Sequence, residues 1–167
     1  MNDDEAVGSV IQDILDDTMT RAQGLDYAVY AVTYNPPPGG AATEIHGSPK
    51  LIVLNRSRNE QLTRRLQRFA FRTRTADRQV ELWEITLHKV NDALRTLDSE
   101  FIKTGQGENV RVVLDVDMGG FFYTRLGRHA VLFGVTLDQA EVNSGRCERE
   151  MYQMVAQIEA VSTAYGA

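Results

Sequence analysis

Cysteine is nearly missing: Cys147 is the chain's only one, so no internal disulfide can form and stability must come from a packed core. No apolar run approaches the 18 residues of a membrane-spanning helix, and the first residues lack the basic-then-apolar order of a secretory leader. These absences lead to the expectation of a soluble, cytoplasmic protein with no membrane span. Histidine is sparse as well. His46, His88 and His129 fall on a loop, a helix and a strand start without metal-like spacing, so no zinc site is expected. The glycine-bearing stretches NPPPGG, TGQGE and MGG contain neither GxxxxGK[ST] nor a GxGxxG between strand and helix. They are read as turns, not as phosphate cradles.

What is present is size and pattern. At 167 residues and 43% hydrophobic content, the chain can bury about 70% of its unfolded surface in one ordinary domain, 1–167. The stretch around which the rest is organised is Val80–Phe101. Val80, Trp83, Leu87, Val90, Leu94, Leu97 and Phe101 recur at alternating spacings of three and four, a pattern that only a helix can turn into one seam. Asp77 and Glu81 suit its N-terminal end, and the helix is expected to run from about Asp77 to Lys103. Trp83, Leu87, Val90, Leu94 and Leu97 are its candidate core or dimer-interface residues. Leu82, Ile85, Ala93 and Ile102 lie off the seam, a wider apolar face than a two-stranded coiled coil needs.

On either side the periods change. Val7, Val10, Ile11, Ile14 and Leu15 predict a helix over 3–21, followed by an interior strand at Tyr27–Tyr34 (YAVYAVTY). The prolines of NPPPGG cannot continue that strand, and Lys50–Leu54 (KLIVL) reads as a second one. Leu62, Leu66, Phe69 and Ala70 predict a short helix over 59–71 with a basic outer face. After the long helix come three short segments, Val110–Asp117, Phe121–Leu126 and His129–Thr136. The gaps between them admit hairpins but no helical crossover, which predicts an antiparallel meander. Met151, Met154, Val155, Ile158 and Val161 then predict a closing helix. The expected fold class is α+β: a five-stranded, mainly antiparallel sheet with a long central helix and flanking N- and C-terminal helices.

Charge is uneven. The segment from Arg56 to Arg78 holds eight arginines against Glu60 and Asp77 and so carries +6, which leaves −11 for the remainder of a chain of net charge −5. The net charge argues against wholesale electrostatic binding to nucleic acid. The arginine-rich segment could nevertheless grip an anionic partner, with Arg64, Arg65, Arg68 and Arg72 as the candidates, or could dock on acidic faces of its own chain. Cys147, near the start of the last helix, is read as a small buried hydrophobe rather than a nucleophile. Asp115 and Asp117 share a strand face that could bind a hard cation, but a solvated edge is the simpler reading.

From Asn109 to Val161 the run NVRVVLDVDMGGFFYTRLGRHAVLFGVTLDQAEVNSGRCEREMYQMVAQIEAV resembles the C-terminal half of the roadblock / dynein light chain family, in its strand, glycine, strand, glycine, strand and helix rhythm. Ala76–Phe101 matches the position of that family's central helix, and residues 7–34 match its first helix and strand. Profilin-like and longin-like modules share much of this rhythm. The resemblance implies a homo- or heterodimer joined through sheets or central helices, a protein partner such as a small Ras-like GTPase, and no catalysis or cofactor. Residues 35–75 depart from the pattern, inserting a proline-rich loop and the basic helix where the family passes directly between elements. The alternative function is binding of nucleic acid or an anionic surface by that helix.

Overall fold

The computed structural model describes residues 3–21, 23–34, 51–52, 65–74, 77–127 and 129–164. In chain order the elements are α1 (Asp3–Arg21), β1 (Tyr27–Tyr34), β2 (Leu51–Ile52), β3 (Arg65–Thr73), α2 (Asp77–Lys103), β4 (Arg111–Val116), β5 (Gly119–Leu126), β6 (Ala130–Thr136), α3 (Gln139–Asn143) and α4 (Arg146–Ala164). The strands form one antiparallel sheet in the order β2-β3-β1-β6-β5-β4. Five are full strands, and the two-residue β2 lies beside part of β3. The fold is α+β, as expected, with β1 in the interior between β3 and β6 and with β4, β5 and β6 as the meander.

One expectation fails. The arginine-rich segment contains no helix over residues 65–71; it is strand β3, paired along its length with β1. Residues 53–64, including the start of the expected helix, lie outside the described residues, and of Lys50–Leu54 only Leu51–Ile52 is described, as β2. The cause is a competition between local and distant partners. Few apolar residues here distinguish a period of 3.6 from one of 2. β1, apolar on both faces, needs a second neighbour, and the bulge where Tyr30 pairs Ala70 but Ala31 pairs Arg68 disturbs the simple alternation.

The sheet carries apolar residues on both faces. On one, α1 and α4 lay Ile11, Leu15, Met154 and Ile158 over Phe122 and Leu132; on the other, α2 lays Val80, Trp83, Leu87 and Leu94 over Tyr27, Val29, Phe133 and Tyr123. Trp83 stacks on Tyr27 with ring centroids 5.3 Å apart. A carboxylate locks the first layer: Glu150 of α4, 3% exposed, accepts from the amides of Gly24 and Leu25 at 2.9 Å each. A Cβ on Gly24 would lie 2.6 Å from that carboxylate, so the turn after α1 requires glycine for close approach.

The seam on α2 does not stay buried along its length. A strict 3.5-residue repeat drifts about 20° per heptad around a straight helix. By the C-terminal half its apolar stripe has rotated toward solvent: Leu97 is 46% exposed, while Asn91 and Asp98 are buried in its place. Asn91 accepts from the Tyr123 hydroxyl at 2.9 Å, and Asp98 accepts from the amide and side chain of Asn109 at 2.7 Å each. α2 therefore pins the sheet with apolar contacts at its start and polar ones at its end.

Candidate interaction surface: the two sheet edges and the outer side of α2

The two ends of the sheet differ in how their main-chain groups are treated. At the β3 end, β2 pairs only with Leu66 and Gln67. Further along, Gln12 of α1 takes over: its Nε2 donates to the Phe71 carbonyl at 2.7 Å, and its Oε1 accepts from the Phe71 amide at 3.1 Å. Both groups of one strand residue point the same way, so a single carboxamide satisfies the pair as a neighbouring strand would. Asp16 lies 3.6 Å from Arg72, and Arg74 donates to the Met19 carbonyl. α1 thus guards this edge.

At the other end, β4 pairs with β5 alone, and no described element lies on its outer side. The Arg125 amide donates to the Val110 carbonyl at 2.8 Å. By alternation, Val112 and Leu114 also direct their main chain to β5, and Arg111, Val113 and Asp115 direct theirs outward. The strand is exposed and apolar: Val110, Val113, Leu114 and Val116 all exceed one third exposure. Val112 and Leu114 lie opposite Tyr123 and Phe121, on the α2 face. On α2 itself Leu82, Ile85 and Leu97 are about half exposed, an apolar outer side that nothing described in the chain covers.

The sequence-derived candidates separate accordingly. Trp83, Leu87 and Leu94 are buried in the core, Val90 is half-buried against it, and Leu97 is exposed. Of the arginines, Arg64 lies outside the described residues, Arg65 and Arg68 are placed on the β3 main chain opposite Tyr34 and Ala31, and Arg72 turns toward α1. Gln12 is the residue that sequence reasoning did not single out. Alternation in VRVVLDVD exposed the apolar face of β4, but its position at the end of the sheet could not be read locally.

The chemistry of the remaining groups fits a binding surface better than a reaction centre. Cys147 is fully buried, and burial pushes its thiol up to about 12, away from thiolate chemistry. Asp115 is exposed and accepts from Gln139 Nε2 at 3.2 Å. His88 is 1% exposed, and burial lowers it to about 3, so it is neutral. Among the described residues no group of three or more His, Cys, Asp or Glu could hold a metal ion, and no helix is long and apolar enough to cross a membrane.

No protein-family model and no curated protein matches this chain. Solved structures do. A Roadblock/LC7 domain from Streptomyces avermitilis superposes with a TM-score of 0.53 at 11% identity over 93% of this chain and 98% of its own. The fold is roadblock-like. The gliding protein MglB from Thermus thermophilus gives 0.51 at 11% identity, covering 96% of this chain and 94% of its own. A structure of MglB with a tetrameric arrangement gives 0.52 at 12%, covering 93% of each. The superpositions cover 93–96% of this chain, so β3, α1 and the open β4 edge are placed within a known architecture.

Proposed function

We propose that this protein is a non-catalytic, cytoplasmic regulatory module that works as a dimer and engages a small Ras-like GTPase. What supports the dimer most is the open β4 edge. A row of outward-facing backbone donors and acceptors beside exposed Val113, Leu114 and Val116 is a template for pairing that a protein meant to stay single normally blunts. The tetrameric arrangement of one MglB structure with the same fold agrees with association between copies. The GTPase follows from the roadblock resemblance of Asn109–Val161 and of the central helix, and the exposed outer side of α2 gives such a partner an apolar surface.

The alternative, an arginine-mediated grip on nucleic acid, has less support because Arg72 and Arg74 are already engaged with α1. The GTPase reading is tested by calorimetric titration of small Ras-like GTPases from the same organism, loaded with a non-hydrolysable GTP analogue or with GDP. Nucleotide-dependent binding that Ile85→Asp abolishes is the expected result. A uniform lack of binding, with salt-sensitive binding of duplex DNA or RNA in its place, would favour the alternative.

A further inference from the structure

A polar row runs along α2 beside the apolar seam. His88, Asn91, Arg95 and Asp98 are spaced three, four and three apart, so they share one side of the helix. His88 and Asn91 are each 1% exposed and Asp98 is 8%, an unusual degree of burial for such side chains. Buried polar atoms are nearly always hydrogen-bonded. Yet both ring nitrogens of His88, Nδ2 of Asn91 and Nε of Arg95 have no partner among the described residues, and neither has Oδ1 of Asn109, the residue that Asp98 holds. The last two members of the row line a cavity of about 220 Å³, walled by α2, β5 and the loop before β4. Arg95 and Asp98 contribute to it from α2, Glu108 from the loop and Arg125 from β5, so its charges balance. Their pairing does not. Arg125 donates to Glu108 and lies 3.9 Å from Asp98 Oδ2, and Asn109 donates twice to Asp98 Oδ1 at 2.7 Å. Arg95 forms no ion pair among the described residues, although Asp98 is only three residues away on the same side, and Asp98 Oδ2 accepts no hydrogen bond.

The cavity thus offers a guanidinium in need of an acceptor and a carboxylate oxygen in need of a donor. A simple anion would satisfy Arg95 but meet repulsion from Asp98 and Glu108; a simple cation would satisfy Asp98 but be repelled by the two arginines. A molecule that carries both charges a few bonds apart answers both groups and keeps the balance. The volume lies below the roughly 300–1,000 Å³ of pockets for drug-sized ligands, so that molecule is small. We propose that this cavity binds a small zwitterion of the α-amino-acid type, with its carboxylate on Arg95 and its ammonium on Asp98. Exposed Ser99 and Ile102 form the rim through which it enters. The inference is independent of the dimer and GTPase readings above.

Calorimetric titration of the full-length protein with each standard amino acid in turn tests it, with propionate, propylamine and inorganic phosphate as probes that carry charge of one sign. At least one amino acid should bind saturably with a Kd below about 1 mM, and none of the three single-sign probes should bind comparably. Arg95→Gln should weaken that binding at least about tenfold, as expected on losing a charge-assisted contact. Asp98 also anchors Asn109, so the second variant is Ser99→Trp, which fills the rim from an exposed position. It should block binding while melting as wild type does. No binding of any amino acid up to about 10 mM, equal binding of propionate, propylamine or phosphate, or undiminished binding by either variant would overturn the proposal.

Discussion

The two edges of this sheet solve one problem in opposite ways. At β3 the unpaired main chain is met by Gln12, whose carboxamide binds both groups of Phe71, with Asp16 and the end of α1 holding Arg72 and Arg74 nearby. At β4 nothing described in the chain plays that part, and the strand presents valine and leucine instead. Blunting an edge is the usual protection against unwanted pairing. A chain that guards one edge with a paired hydrogen bond and leaves the other apolar treats the two differently: at β3 further pairing is blocked, and at β4 the edge stays open.

The largest effect removes both edges together. Leu94→Asp places an unpaired charge between α2 and the sheet, where Leu94 is 7% exposed, and should cost about 3–5 kcal/mol, read as a lost or strongly lowered melting transition. Next comes pH, through a buried histidine of α2. Burial lowers His88 to about 3 from an ordinary value of 6.5. Below pH 6.5 the unfolded chain therefore takes up a proton that the folded chain refuses. Stability from this group is present above 6.5 and is lost as pH falls toward 3, by about 1.4 kcal/mol per unit. Between pH 6.5 and 5, wild type should lose about 2 kcal/mol more than His88→Leu in denaturant titrations. Gln12→Leu opens the guarded edge and should cost about 1–2 kcal/mol, with faster hydrogen exchange at the Phe71 amide as its specific mark. Val113→Pro should leave monomer stability within about 0.5 kcal/mol, because a proline whose missing donor faces outward is tolerated on an edge strand, yet it removes the central donor of the open edge.

How far these features could be read without the structure depended on how local their causes are. α2 was legible because the regular spacing from Val80 to Phe101 leaves little ambiguity, and the meander because glycines punctuate it, Gly119 at a φ of 133° among them. β3 was not, since Phe69, Ala70 and Phe71 fit either period and its partner β1 lies some forty residues earlier in the chain. The five-residue α3, capped by Asp138, is too short to show a repeat. At the candidate surface, the apolar alternation of β4 was visible, but its exposure depends on strand order. Leu97 and Leu94 looked equivalent in sequence. They differ because the 3.5-residue seam drifts on a helix that turns every 3.6 residues.

The measurement that bears most directly on the open edge is the mass in solution of wild type and Val113→Pro, by light scattering at micromolar concentration. Wild type should show twice the 18.7 kDa chain mass, and Val113→Pro should show a single chain mass while melting as wild type does. A monomeric wild type, or a Val113→Pro variant that remains a dimer, would contradict an edge built for pairing.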